Sequence, residues 1–282
     1  MYQMMSLPLY SGTLGEYNSW RDLGQELERL GCDGIEGVWG GEDLPKDLPA
    51  ELILGYHLIF YPDWLDFYRD DRAALKQKFG SLEVTASFYG GLGPDTLLEQ
   101  YRADLRRAVN LGARYVVFHV SDVSLEEGYT YRWLHTNQEV IDAAVEVVNL
   151  ILGEERWPFE FLVENQWWPG FTFTEPEETA RLLEGIRFAG KGILLDTGHL
   201  MNACTELKTE AEGADYIRRM LNRHGSLAKW VRGVHLHQSL SGAYVKAHTG
   251  SLPAGLPEDY MERFGVSYQH ILQIDQHRPW TD

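Results

Sequence analysis

Glu164, Asp196 and His235 each close a short apolar run, in the segments VENQWW, LLDTGH and VHLHQS. Carboxylates and imidazoles are the side chains that hold zinc, manganese or magnesium, and at the ends of separate strands they make a compact N/O ligand set. A cation held there polarises a carbonyl or generates hydroxide, and a carboxylate beside it removes a proton from the adjoining carbon. Further candidates follow the same rule. His57 lies in ILGYHLIF, His119 closes YVVFH, His199 stands three residues beyond Asp196, and Asp275 and His277 are two apart. The expected metal set is therefore Glu164, Asp196, His235, His199, His57, His119, Asp275 and His277, with Glu164 and His199 as the catalytic groups. Taken singly, Glu164 reads as a buried structural carboxylate, Asp196 as a helix N-cap before Thr197-Gly198, and His57 or His119 as a satisfied core histidine. Taken together, those plainer readings need several independent coincidences.

On the substrate side, Trp167 and Trp168 follow directly on Glu164-Asn165. Indole faces stack against sugar rings or other flat apolar groups. The pair is expected beside the substrate, with His237, Glu36 and Asn165 as further contacts. Trp39, Tyr61, Trp64, Tyr89 and Trp133 also lie in or near segments that follow strands. An aromatic rim equally suits a plug over the site or a subunit interface, so a homo-oligomer stays open. His235 and His237 share one face of a strand, with Val234 and Leu236 on the other. His224, His248 and His270 have no strand-end placement.

These residues need a scaffold that gathers strand ends, and the chain supplies alternating strands and helices. The pattern predicts strands at 3–10, 32–38, 52–60, 115–120, 159–164, 192–196 and 231–237. Gly34, Glu36 and Val38 share one strand face. Helices are expected from about Ser19 to Gly31, from an Asp95 cap to Gly112, over Asn137–Leu152, after a Thr174/Glu177 capping box, and over 214–224. Ordered β-then-α units point to an α/β fold, a (β/α)8 TIM barrel with its last unit lacking or altered. Parity places Val117, Leu162 and Leu194 inside the barrel below His119, Glu164 and Asp196.

With 282 residues, 44% apolar content and no linker-like stretch, the chain reads as one domain over 1–282. No apolar run is long enough to span a bilayer, no signal peptide is evident, and two distant cysteines suit reduced thiols, so a cytoplasmic protein is expected. The formal charge of −17 opposes binding to nucleic acid, whose affinity comes mostly from Lys and Arg on phosphates. Neither a phosphate-binding glycine loop nor a GxSxG elbow is present.

Val163-Glu164-Asn165, Leu195-Asp196-Thr197-Gly198-His199 and Val234-His235-Leu236-His237, in this order, resemble the xylose isomerase-like TIM barrel superfamily, which holds sugar isomerases and epimerases and also endonuclease IV. The resemblance covers nearly the whole chain. Its epimerase branch implies a divalent metal, zinc, manganese or magnesium, on Glu164, Asp196 and His235, with a further Glu on an eighth strand. Its endonuclease branch implies three zinc ions on a larger set that adds His57, His119, His199, Asp275 and His277. The implied function is a metal-dependent isomerase or epimerase of a small carbohydrate or polyol. The alternatives are an endonuclease IV-like multinuclear zinc hydrolase and a noncatalytic sugar- or metal-binding barrel. The chain departs from both branches in showing no terminal Glu after His277: either it is a shortened chain, or Tyr268 to Asp275 forms the last strand in another arrangement.

Overall fold

The structure is a computed structural model describing residues 1–44 and 46–281, so Asp282 lies outside the described residues. Seven parallel strands form one sheet in chain order: β1 (Met4–Leu9), β2 (Gly34–Trp39), β3 (Ile53–His57), β4 (Tyr115–His119), β5 (Glu160–Glu164), β6 (Lys191–Asp196) and β7 (Val231–His235). Five strand spacings in a flat sheet would set β2 and β7 about 24 Å apart. His235 on β7 nevertheless lies 2.9 Å from Glu36 on β2, so the sheet curls into a barrel wall with β1 and β7 as its free edges.

Inside the curl, Val117, Leu162 and Leu194 pack with Tyr115 as a cluster separate from the main core, as strand parity requires. The opposite strand faces carry the main core against the helices, with Ile35, Val116, Phe161, Ile193 and Leu195 all buried. Helix Trp20–Leu30 starts on Ser19, whose side chain accepts the Asp22 N–H, and ends at Gly31 in the left-handed region. Helix Asn137–Leu152 carries a full Thr136/Glu139 capping box. The predicted helix over 214–224 starts earlier, and runs Glu210–His224.

Two expected caps are not made. Pro94 takes the first position of helix Pro94–Asn110, which moves the N-cap to Gly93 and leaves Asp95 in the first turn. Pro176 likewise opens helix Pro176–Gly185, and the residue before a proline is driven to extended backbone. Glu175 therefore holds the cap position without a side-chain cap bond, and Thr174 pairs with Thr172 instead. The alternative last strand, Tyr268 to Asp275, is also corrected. Residues Tyr260–Ile271 form a helix capped by Asp259, and the chain then turns back to the barrel mouth.

The loop leaving β4 is pinned by a buried ionic network. Asp122 accepts the N–H groups of Trp64 and Leu65 at 2.8 and 2.9 Å, and His135 Nδ1 lies 2.8 Å from its other oxygen. His135 Nε2 lies 3.2 Å from Asp66, to which Lys78 also reaches at 2.8 Å. Bonds to Asp122 and Asp66 push His135 up to about 10 from its ordinary 6.5. A raised folded-state value stabilises fully below pH 6.5 and loses that contribution as pH rises through about 10. The melting-temperature gap between wild type and His135→Gln should accordingly be widest below pH 6.5 and close toward pH 10. A gap that stays constant with pH would mean that the imidazole acts by packing alone.

Candidate functional site

Every strand-end candidate named from the sequence lines one cavity of about 2120 Å³ that runs inside the curled sheet, at its C-terminal end. Glu164, at the end of β5, is 1% exposed and divides its two carboxylate oxygens between two sets of histidines. Its Oε2 lies 3.4 Å from His57 Nε2 and 3.2 Å from His119 Nε2. Its Oε1 lies 3.2 Å from His199 Nδ1 and 3.4 Å from His235 Nδ1.

His57 Nδ1 donates to the Leu58 carbonyl at 2.8 Å, so in the neutral ring that a metal would require Nε2 carries the lone pair. That nitrogen faces His119 Nε2 at 3.0 Å, and Glu164 Oε2 is buried beside both without a hydrogen bond. A lone pair and an unpartnered carboxylate oxygen aimed at one point fit a cation.

Asp196 is a helix N-cap and also turns an oxygen toward two imidazoles. Its Oδ1 accepts the His199 N–H at 2.7 Å, capping helix Thr197–Asn202, while Oδ2 faces His237 Nε2 at 2.8 Å and His235 Nδ1 at 3.5 Å. Asn165, expected among the substrate contacts, is fully buried, donates to the Asp196 carbonyl at 3.0 Å and accepts the Asp196 N–H at 2.8 Å. Both ends of its amide are used to lock the end of β5 to the end of β6. Behind His235 stands Glu36, whose Oε1 lies 2.9 Å from His235 Nε2 and whose Oε2 accepts the Tyr115 hydroxyl at 2.6 Å.

His199, His237, Asp275 and His277 gather on the other side of Asp196. His199 Nδ1 donates to the Asn165 carbonyl at 3.0 Å and turns Nε2 toward Asp275 Oδ2, 3.5 Å away. His277 Nε2 is 3.1 Å from Asp275 Oδ1. The described residues thus include three groups that could hold a metal ion: His57/His119/Glu164, Glu164/Asp196/His235 and His199/His237/Asp275/His277, with the candidate ligand atoms of each within 4.8 Å of one another. Sequence reasoning had placed His237 with the substrate contacts; the geometry sets it in a ligand group, and its same-face spacing from His235 was the available signal.

Electrostatics follow from this crowding. Burial works to raise the Glu164 carboxyl, but the charges of His119 and His235 outweigh it and hold it well below the ordinary value. Burial works to lower His199 and His235, yet Asp196 beside the first, and Glu164 and Glu36 beside the second, push both well upward. At His119 burial prevails and the value falls. The carboxylates are thus held in the ionised form that metal binding requires.

Trp167 and Trp168 line the cavity, 7% and 8% exposed, and Trp167 lies 5.1 Å from the His199 ring, centroid to centroid. Their loop folds tightly because Gly170, at φ 132°, lets the backbone pass where a Cβ would lie 2.3 Å from the Val120 carbonyl oxygen. Tyr61 also lines the cavity, whereas Trp64 and Tyr89 are buried in the main core. Sequence reasoning missed Tyr115, although it shares strand parity with His119. It also missed Gln166, whose buried amide lies 3.0 Å from His199 Nδ1. No helix among the described residues is long and apolar enough to cross a membrane.

No curated protein matches the sequence. Solved structures similar in fold include a D-tagatose 3-epimerase-like protein, 14% identical over 98% of this chain and 99% of that one with a TM-score of 0.47. Endonuclease IV from Thermus thermophilus is 16% identical over 96% of this chain and 99% of its own, also with a TM-score of 0.47. The probable 3-DHS dehydratase AsbF from Bacillus anthracis is 16% identical over 97% and 89%, with a TM-score of 0.46. The family model described as xylose isomerase-like TIM barrel matches residues 25–280, and the chain belongs to that family.

Proposed function

We propose that the chain is a metal-dependent hydrolase of a small-molecule ester, a phosphoester foremost, with more than one divalent ion in its site. The observation that carries this reading is the division of Glu164, whose Oε2 faces His57 and His119 while Oε1 faces His235. A carboxylate that turns one oxygen to each histidine set would serve two ions at once, and would then be less free to act as the proton-abstracting base of an epimerase. Divalent ions held a few ångströms apart activate water and steady both the attacking and the leaving oxygen of a displacement. His57 and His119 would hold one position with Glu164; Asp196 and His235 would hold the next. Trp167 and Trp168 would cover the leaving group and keep bulk water out.

Charge supports the same choice. The four carboxylates Glu36, Glu164, Asp196 and Asp275 outweigh one divalent ion and are outweighed by three, so an anionic substrate is admitted only under multinuclear loading. The cavity-lining arginines, Arg114 and Arg232, lie at the other end of the barrel, next to the starts of β4 and β7. Among the described residues no arginine or lysine lines the cavity at its mouth, which favours a small substrate.

A second reading, an isomerase or epimerase of a small carbohydrate or polyol, draws on one observation. Glu36 and Glu164 reach opposite ring nitrogens of His235, at 2.9 and 3.4 Å, and so provide a pair of carboxylates for proton exchange. Elemental analysis of purified protein separates the two. About three divalent equivalents with turnover of p-nitrophenyl phosphates supports the hydrolase. About one equivalent, with exchange of ketose C–H for deuterium in heavy water, replaces it by the epimerase.

Glu36 also bears on metal affinity under either reading. A carboxylate behind a ligating imidazole fixes its tautomer, and losing such a partner typically costs roughly 10–100-fold in affinity. Glu36→Gln should weaken metal binding by about that factor, as read by competition with a chromophoric chelator. Unchanged affinity would reduce Glu36 to a packing partner of Tyr115.

A further inference from the structure

We infer that the ester taken by this site carries a large, uncharged apolar group, an aromatic one foremost, and that the group lies on a wall built by Phe60, Phe88 and one face of helix Tyr260–Ile271. The inference rests on the hydrolase reading and names its substrate class. Met261, Phe264, Tyr268 and Ile271, spaced i, i+3, i+7 and i+10, share one face of that helix, and all four line the cavity. Such a stripe ordinarily buries itself in a core. Here Met261 and Tyr268 stay 54% and 51% exposed, so much of the stripe is left open to a ligand.

The helix is held from both ends. Tyr260 sets its ring 4.3 Å from Phe79, and Tyr129 stacks on His270 at the same centroid distance. His270 Nε2 donates to the Gly128 carbonyl at 3.2 Å, and Nδ1 accepts from the Tyr244 hydroxyl at 3.0 Å. The stripe between these anchors is a fixed surface.

From this helix the apolar lining runs to two of the candidate metal ligands. Phe60, 48% exposed, lies 4.5 Å from the His119 ring, centroid to centroid. Its neighbour Tyr61 lies 5.9 Å from Phe88, and Phe88 lies 5.4 Å from Phe264. The helix then carries the lining to Ile271, which packs against the cluster of Trp167 and Trp168, and Trp167 meets the His199 ring at 5.1 Å. His119 and His199 face different oxygens of Glu164, so a group resting on this arc sits beside the reacting centre.

The chemistry of the arc selects the group. Tyr61 spends its hydroxyl on Gln100 at 2.5 Å, both nitrogens of His270 are engaged, and of the helix residues that line the cavity only Ser267 and Tyr268 carry a hydroxyl. A polyol laid on this wall would lose water from hydroxyls that find few partners, whereas a ring system gains from apolar burial and aromatic contact. No arginine or lysine among the described residues lines the mouth to meet a second anionic group. Room is ample, since the cavity of about 2120 Å³ exceeds the roughly 300–1,000 Å³ of ordinary ligand pockets.

The test uses zinc-loaded protein with methyl, benzyl and 2-naphthylmethyl phosphate, whose leaving alcohols differ far more in apolar area than in acidity. Binding of 2-naphthylmethanol alone is followed by tryptophan fluorescence in wild type, Glu164→Gln and Met261→Gln/Tyr268→Gln, each checked for folding by near-ultraviolet circular dichroism. In wild type, kcat/KM should rise about 30-fold or more from the methyl to the naphthylmethyl ester. The double variant should lose about ten-fold on the naphthylmethyl ester and bind the alcohol about ten-fold more weakly, with methyl phosphate turnover unchanged. Glu164→Gln should bind the alcohol as wild type does. Equal kcat/KM across the three esters, or equal alcohol binding in wild type and the double variant, overturns the inference. Alcohol binding that the double variant weakens, without turnover of any ester, leaves the apolar wall standing and removes the proposed hydrolase. A wild-type dimer that the double variant converts to a monomer in sedimentation would give the stripe to a second copy of the chain and overturn the inference.

Discussion

Glu164→Gln is expected to lose two bound ions, not one, and turnover with them. The amide keeps the shape of the side chain but removes its charge, and places an NH₂ where one of two histidine sets meets a carboxylate oxygen at 3.2 to 3.4 Å. Neither orientation of the amide can bridge. The loss should exceed the roughly 10–100-fold expected when an outer-shell partner is removed. Elemental analysis and an ester-hydrolysis assay check it together. Loss of a single equivalent would confine Glu164 to one position and reopen its role as a base. Full occupancy with normal turnover would remove it from the site.

Asp196 allows a cleaner dissection, because its two oxygens face different tasks. Asn and Ala at this position should abolish metal binding at the Asp196 position alike, since neither supplies the anionic oxygen that faces His235 and His237. They should differ in the metal-free protein. Asn still accepts the His199 N–H at the start of helix Thr197–Asn202, whereas Ala leaves it unpartnered, at a cost of about 1 kcal/mol. Denaturant unfolding of the two metal-free variants measures that difference directly. Equal stability would show the cap to be idle, and retained metal in Asp196→Asn would limit the residue to capping.

The site was legible where chemistry and local geometry coincide. An apolar run ending in Glu164, Asp196 or His119 states both a buried strand and a ligand at its top, and period-two parity then places Val117, Leu162 and Leu194 beneath them. Asp275 and His277 were signalled by their residue types and spacing and by the family resemblance, but their approach to the mouth was not, because the return of the chain after Ile271 depends on contacts far apart in sequence. Glu36 was visible as an inward residue, but its partner was not: only the curl of the sheet brings β2 to His235. The missed caps have a local cause, since Pro94 and Pro176 impose their own backbone on the residues around them. The helix Tyr260–Ile271 was open to misreading because its end, read alone, lacks a decisive period.

Among the described residues strand β7 pairs with β6 alone, and its outer side chain Val234 and the adjoining Leu236 are 51% and 73% exposed. An edge strand held from one side is the first part of a sheet to fray. Here that strand and the residues just beyond it carry His235 and His237, so every opening of the edge would dismantle a coordination sphere, and every captured ion would oppose the opening. An ion bound there and this margin of the barrel would thus share one free energy: occupancy would set how long the edge stays shut, and the frequency of fraying how fast the ion exchanges with solvent.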